Sequence, residues 1–178
     1  MERQYGFIHE KLEIKILILF ILRRLPKAVD MEKLTELTMC DGGFHFFDFA
    51  DCVAELRNTG HIEETEDGWL ITQKGRENGE ITESSLPYSV RMRAERNTAI
   101  VAQAQEREAL ISTSRELRPL GGSIVRLSMS DGMGPVLSME LLAGSDEEAE
   151  TMQKTFKKNA ESLYLRIMNL LLEQEDTK

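Results

Sequence analysis

Cysteine and histidine are the residue types best suited to metal binding or nucleophilic chemistry, and this chain has few of them. The two cysteines, Cys40 and Cys52, and the three histidines, His9, His45 and His61, do not follow a metal-ligand spacing. The sequence has no glycine-rich phosphate loop and no serine, histidine and aspartate at a recognisable catalytic spacing. We therefore expect reduced thiols, no metal, no cofactor and no enzymatic activity.

Basic side chains are the candidates for contacts with DNA phosphates, and one histidine joins them. The nucleic-acid-binding candidates are His45, Arg57, Lys74, Arg76, Arg91, Arg93 and Arg96. Lysine and arginine release counterions from a polyanion, which supplies most of the non-specific affinity for DNA. Lys74 and Arg76 are the strongest candidates. For the three arginines near residue 93, a solvated helix face balanced by Glu95 is the simpler account.

Acidic side chains in the same region argue against binding to DNA. The candidates for contacts with a protein partner are Asp48, Asp51, Glu55, Glu63 and Glu64. Residues 1–80 hold 10 Lys and Arg against 16 Asp and Glu, and the formal net charge of the whole chain is −9. Carboxylates that face a polyanion lose the counterion-release contribution. The charge pattern therefore leaves DNA binding and protein binding both open.

The stretch from Phe46 to Thr72 positions most of these side chains, and its pattern is that of a short helix followed by a β-hairpin. Asp48 is expected to accept from the free N–H groups at the helix start, and Gly60 to end the helix in the left-handed conformation. The next residues alternate as two strands around a turn at residues 66–68. The aromatic residues at 44–47 are expected to close the small core, with base stacking as the alternative.

Two further helices are predicted before this stretch. From Phe7 to Leu25 apolar residues lie nearly all round a helix, which predicts burial on several faces, and Pro26 stops the helix. Asp30 is expected to cap a second helix over Met31–Met39. The resulting order is helix, short strand, helix, helix, strand, strand. This order is typical of a winged helix-turn-helix domain.

The end of the hairpin carries a resemblance to a known family. Ile71-Thr72 is followed by Gly75, and the third helix carries Ala54-Glu55-Leu56 before Thr59-Gly60-His61-Ile62. This pattern resembles the bacterial winged-helix regulator superfamily, and it looks like an uncharacterised bacterial winged-helix family described only as a domain of unknown function. The resemblance covers residues 8–80, and the remainder more loosely. It implies a transcriptional regulator whose third helix enters the major groove of DNA.

The second half of the chain has a different pattern. A long linking helix is predicted from Pro87 to about Ile111. Alternating apolar residues then predict an antiparallel sheet with one apolar face, built from strands at Thr113–Leu117, Ser123–Ser130 and Val136–Leu142. Ser145 and Glu148 form a capping box that opens a long helix to about Leu172, and this helix is expected to cover the sheet.

Together these patterns predict an α+β fold in three parts. Residues 1–80 form an N-terminal winged helix-turn-helix domain, residues 81–112 a long linking helix, and residues 113–178 an antiparallel sheet covered by a long helix, for dimerisation or sensing. The excess of apolar residues near the end of the last helix predicts a homodimer built on this helix and the linking helix.

The expected function is that of a DNA-binding transcriptional regulator that acts as a homodimer on double-stranded DNA. The alternative is a winged-helix protein–protein interaction module that no longer binds DNA, favoured by the acidic third helix and hairpin. The longest apolar run, Ile16–Leu22, has seven residues, and the N-terminus lacks the pattern of a signal peptide. We therefore expect a cytoplasmic protein that does not contact a membrane.

Overall fold

The computed structural model of the chain describes residues 7–119 and 121–172, which form a mixed α+β fold of six helices and two antiparallel sheets. The helices are α1 (Lys11–Arg23), α2 (Met31–Thr38), α3 (Phe46–Asn58), α4 (Gln73–Thr82), α5 (Tyr88–Ala109) and α6 (Asp146–Leu172). The strands are β1 (Ile62–Thr65), β2 (Gly68–Ile71), β3 (Ile111–Leu117), β4 (Ser123–Ser130) and β5 (Pro135–Ala143). Two compact units meet in sequence between Gln105 and Glu106.

Helix α1 is the centre of the first unit. Every residue from Ile16 to Leu22 is buried, because α2, α3, α4 and β2 all pack against this helix. The helix begins at Lys11 and not at Phe7, where the sequence had placed its start. The reason is a competing partner: Asp41 Oδ2 accepts from the backbone N–H groups of Phe7 and Ile8 at 2.7 and 2.9 Å, which holds them in a loop.

The starts of α2 and α3 depend on carboxylates. Asp30 caps α2 as predicted, since its Oδ1 accepts from the backbone N–H of Lys33 at 2.7 Å. In α3 the flanking residue is His45, and Asp48 lies three residues further on, inside the first turn. Asp48 Oδ2 accepts from the His45 backbone N–H at 3.2 Å, so its carboxylate serves the start of its own helix.

Strands β1 and β2 pair antiparallel around a two-residue turn, with Thr65 opposite Gly68. Val29, just before α2, forms a single antiparallel bridge to the hairpin, since Val29 and Trp69 exchange backbone hydrogen bonds of 3.1 and 2.7 Å. Gly68 has φ +117°, and a Cβ there would lie 2.3 Å from the Val29 carbonyl oxygen. The close approach of Val29 therefore requires glycine at this position.

Helix α4 follows the hairpin directly. Thr72 caps it, because its hydroxyl accepts from the Gly75 backbone N–H at 3.1 Å. Gly75 and Gly79 are the buried residues of this helix, next to His61 and Leu19. The helix packs by close backbone approach and not through large apolar side chains, so the apolar periodicity that predicts helices is weak here.

Helix α5 begins within the first unit and ends within the second. Val90, Ala94 and Thr98 are buried, and Val90 and Ala94 belong to the core around α1. Residues 81–112 had been predicted as a separate linking segment. The compact units instead divide the chain inside α5, and 18 of its 22 residues belong to the first unit.

The second unit is a three-stranded antiparallel sheet, in the order β3-β4-β5, with α6 on one face. Leu127 on β4 lies between Thr113 on β3 and Met139 on β5. The core of this unit consists of Val125, Leu127, Met129, Ala143, Ala149, Phe156 and Ala160. Asn159 interrupts α6 with a non-helical backbone (φ −129°, ψ 18°), which marks a kink.

No helix in the described part of the chain is both long and apolar enough to span a lipid bilayer.

Candidate nucleic-acid interface

Helix α3 has one buried side, and its helical spacing decides which residues point outward. Phe49, Cys52, Val53 and Leu56 are buried in the core around α1. The remaining residues include carboxylates that pair with α1 and an outer face on which exposed Phe47, Asp51 and Ala54 lie one turn apart. The contacts of these residues differ, as their hydrogen bonds and ion pairs show.

The acidic side of α3 is paired with the first helix. Lys11 Nζ lies 3.0 Å from Asp51 Oδ2 and 3.7 Å from Glu55 Oε1, and Lys15 forms an ion pair with Glu55 Oε2. The hydrogen bond from Lys15 lowers the pKa of Glu55, and the hydrogen bond to Asp51 raises the pKa of Lys11. Asp51 and Glu55, two of the partner-binding candidates, therefore have cationic partners within the chain.

The outer face of α3 carries exposed aromatic side chains, which the sequence did not predict. Phe44 is buried as expected of the aromatic cluster, but the Phe46 and Phe47 side chains are 49% and 81% exposed. Their rings lie edge to face with centroids 6.2 Å apart. Ala54 is also exposed, seven residues after Phe47. The spacing of 47 and 54 by two helical turns was the available signal for a shared outer face.

The hairpin carries the other acidic candidates. Glu63 and Glu64 are exposed on β1, and Glu66 and Asp67 are exposed in the turn. The Arg57 guanidinium forms an ion pair of 3.1 Å with Glu64. It also lies 6.0 Å from the centre of the Trp69 ring. Arg57, the cationic residue of α3, therefore already contacts the hairpin.

Lys74 and Arg76, the strongest phosphate candidates, contact carbonyl groups at helix ends. Lys74 Nζ donates to the Thr59 carbonyl oxygen at 2.7 Å, just after α3. The Arg76 guanidinium donates to the Arg23 carbonyl oxygen at 3.4 Å, at the last residue of α1. Cations at the carboxyl ends of helices compensate the negative end of the dipole. Lys74 remains exposed, whereas Arg76 is half-buried.

The three arginines of α5 have different surroundings. Arg93 donates to the Cys40 carbonyl oxygen at 3.0 Å and lies 3.9 Å from the buried Asp41 carboxylate. The Arg91 guanidinium lies 5.9 Å from the centre of the Tyr88 ring. Arg96 is exposed and has no ion pair or side-chain hydrogen bond within residues 7–119 and 121–172. Arg96 is therefore the most available of these three cations.

Glu95, which the sequence suggested as the balance for those arginines, pairs elsewhere. Its Oε1 lies 3.6 Å from Arg24 Nε. Arg23 and Arg24 also share Glu83, so the end of α1 is neutralised by carboxylates from three later segments. Within the first unit, these ion pairs connect α1 to the segments around α4 and α5. Glu95 therefore does not neutralise the arginines of α5.

His61, and not His45, is the histidine with partners on both ring nitrogens. Its Nδ1 lies 2.8 Å from Thr59 Oγ1, and its Nε2 accepts from Asn78 Nδ2 at 2.7 Å. Burial lowers the pKa of His61, and the nearby Lys74 and Lys15 lower it further. A neutral His61 thus connects the end of α3 to α4. His45 is exposed at the start of α3.

Neither cysteine is placed for nucleophilic chemistry. Cys52 is buried, and burial raises its pKa to about 11. Burial also raises the pKa of Cys40, which is partly exposed. Among residues 7–119 and 121–172, no group of three His, Cys, Asp or Glu side chains is arranged to hold a metal ion.

Comparison with known proteins gives one match. A family model described as a domain of unknown function (DUF4364) matches residues 14–171. A search of curated proteins and a search of solved structures gave no match.

Proposed function

The chain belongs to the family described as a domain of unknown function (DUF4364). Since that description names no activity, we propose a function from the geometry of the chain itself. Residues 1–80 are a winged helix-turn-helix that binds double-stranded DNA, and the protein acts as a homodimeric transcriptional regulator in the cytoplasm. Helix α3 is the recognition helix and the β1–β2 hairpin is the wing, since a helix followed by a hairpin is the arrangement that winged helices insert into DNA.

The observation that supports this proposal best concerns the carboxylates of α3. Asp48 accepts from the start of its own helix, and Asp51 and Glu55 are paired with Lys11 and Lys15. The outer face of α3 therefore presents no carboxylate without a partner in the described chain. From the sequence alone, these three carboxylates are evidence against DNA binding. Because each has a partner within the chain, that evidence is weaker.

The side chains that α3 would present to the major groove include two apolar or small ones beside Asp51, whose charge is compensated by Lys11. Phe47 and Ala54 are exposed on the outer face, and Phe46 lies beside them. Apolar groups of this kind contact the methyl group of thymine. We assign the phosphate contacts to Lys74, next to the end of α3, and to Arg96 on α5. The other basic candidates are secondary.

The test is binding of the purified full-length protein to random-sequence duplex DNA at two salt concentrations. We expect binding at about 50 mM salt and an affinity that falls by about 10³-fold or more at about 200 mM, because several phosphates are neutralised. No binding at the lower salt, by a protein that is folded, contradicts the proposal.

Two substitutions at Ala54 test whether α3 faces the DNA. Ala54→Glu places an unpaired carboxylate on the outer face, and we expect at least a tenfold loss of affinity; Ala54→Lys is expected to raise the affinity. Ala104→Glu, at an exposed alanine of α5 more than two turns from Arg96, changes the net charge equally and serves as the control. Equal losses for Ala54→Glu and Ala104→Glu contradict the assignment of α3.

A protein-interaction module is the second candidate, and the Phe46–Phe47 pair is the observation that favours it. Two exposed aromatic rings at the start of α3, together with the carboxylates of Glu63, Glu64 and Glu66 on the hairpin, suit a basic partner with an apolar pocket. A folded dimer that fails to bind duplex DNA at about 50 mM salt favours this function. In that case Phe47→Ala is the variant that should weaken partner binding most.

A further inference from the structure

An apolar groove runs along α6 in the second unit. Its volume is about 530 Å³, and its floor consists of Leu127, Met139, Leu141, Met152, Phe156 and Leu163. Helix α6 packs mainly on β3 and β4, so the apolar side chains of β5 are covered on one side only. Leu141, for example, is 42% exposed although it points toward the face that α6 occupies.

The same helix carries apolar side chains that lack a covering surface. Phe156, Leu163 and Leu170 are spaced by seven residues, with the kink at Asn159 between the first two, and Leu163 and Leu170 share one face of the helix after the kink. Phe156 is buried, Leu163 is half-buried and Leu170 is 70% exposed. The apolar stripe of α6 therefore continues beyond the sheet that covers its beginning. Leu171 and Leu172 are exposed to a similar degree.

We propose that the groove binds the leucine-bearing end of α6 from a second copy of this chain. The two α6 helices run antiparallel across a twofold axis, so each groove receives Leu170 and Leu171 of the other chain. This inference rests on the proposed homodimer and assigns the surface that forms it. Both surfaces are apolar, both lie on one unit, and a twofold arrangement buries both at once.

The charges along α6 favour the same antiparallel arrangement. Lys157 and Lys158, in the middle of the helix, have no ion pair within the described residues, and neither has Arg166 at the edge of the groove. The sequence places three carboxylates directly after Leu172, in Glu-Gln-Glu-Asp. The opposite charges of these two stretches of sequence favour an antiparallel pair over a parallel one.

A small ligand suits the groove less well than a second copy does. The polar residues that line it, such as Thr155 and Arg166, are exposed and lie at its edge. Ligand sites instead combine apolar walls with a few buried polar groups that fix orientation. The groove is also open along its length, as a surface for a helix is expected to be.

The test begins with the solution mass of the full-length protein at micromolar concentration. We expect two chains of 20.3 kDa in the wild type and one chain in Leu170→Glu, because the substitution places a carboxylate in an apolar groove. Leu170 is exposed, so the variant is expected to keep its helix content. Ile100→Glu, at a residue of α5 that is 67% exposed, is the matched control and is expected to stay dimeric.

A crosslink identifies the partner surface directly. Two variants are made in a Cys40→Ser background, one with Leu141→Cys and one with Leu170→Cys. When they are mixed and mildly oxidised, we expect a disulfide between the two chains, and none when Ile100→Cys replaces Leu170→Cys. A dimeric wild type that gives no such crosslink, or that stays dimeric as Leu170→Glu, overturns the proposal.

The remaining outcomes also decide the proposal. A monomeric wild type overturns it, and a monomer whose groove binds an apolar dye assigns the groove to a small ligand instead. Duplex DNA binding is measured separately on the same samples. A dimer that crosslinks through the groove but does not bind DNA contradicts only the DNA-binding function, whereas DNA binding by a protein without the crosslink contradicts only the groove assignment.

Discussion

His61 connects the end of α3 to α4 only while it is neutral. The Asn78 amide donates to its Nε2, and protonation of that nitrogen removes the acceptor. Since the folded chain lowers the pKa of His61, the unfolded chain takes up this proton first as the pH falls below about 6.5. The contribution of His61 to stability is therefore complete above that pH and is lost below it.

We predict that the urea midpoint of the wild type falls more steeply between about pH 7 and pH 5 than that of His61→Gln, which cannot titrate at this position. At pH 8 the two proteins should differ only by the loss of ring contacts. Parallel pH profiles for the two proteins would show that His61 does not carry this dependence.

Cys52 provides a second test at the scale of single residues. Its thiol is buried and has a pKa of about 11. Only about one molecule in a thousand then carries the thiolate at pH 8, and burial blocks its reaction further. We predict that iodoacetamide modifies Cys40 before Cys52 in the folded protein and both equally in denaturant, as mass spectrometry of peptides would measure. Equal rates in the folded protein contradict the buried position of Cys52.

At the scale of elements, α4 is the segment that sequence patterns describe least well. Pattern recognition relies on large apolar side chains, and α4 buries two glycines instead. By contrast, α1, the Asp30 cap and the hairpin followed from apolar spacing and turn chemistry, and the structure agrees with them to within a few residues. The exposure of Phe46 and Phe47 was missed because sequence alone does not tell which aromatic residues of a cluster find room in the core.

The two glycines of α4 differ in how much space surrounds them. An added Cβ would lie 2.1 Å from the His61 carbonyl oxygen at Gly75, but 3.3 Å from Leu19 Cβ at Gly79. Either alanine gains up to about 1 kcal/mol of helix propensity. We predict that Gly75→Ala lowers the free energy of unfolding by about 1–3 kcal/mol, because the backbone must move, and that Gly79→Ala changes it by less than about 1 kcal/mol.

Urea denaturation of both variants measures this difference, and each serves as the control for the other. If Gly75→Ala were as stable as Gly79→Ala, α4 would not pack as closely on the hairpin as described.

At the scale of the whole molecule, two separate hydrophobic cores are built from different residues. The larger surrounds α1, and the smaller lies between β3–β5 and α6. Phe156 is the largest buried side chain of the smaller core. We predict that Phe156→Ala destabilises that core by about 3–5 kcal/mol. Hydrogen exchange should then accelerate in β3, β4 and β5 while the amides of α1 stay protected. Uniform acceleration throughout the chain would mean that the two cores unfold together.

The α+β class and most of the elements other than α4 were therefore predictable, but the function was less so. Charge counts made α3 an acidic helix, and only the positions of Lys11 and Lys15 reveal that its carboxylates have partners. Contacts between α1 and α3 join residues some 40 positions apart, which no local pattern encodes.

The ion pair between Lys15 and Glu55 has a consequence for how the family varies. A carboxylate at position 55 beside the face proposed to meet DNA is tolerated because position 15 supplies a cation. Positions 15 and 55 should therefore covary among relatives: where 55 is neutral or basic, selection for a basic residue at 15 is relaxed. Paired substitutions of this kind, one on each helix, would allow the charge at position 55 to change between lineages. The packing of α1 against α3 would stay the same.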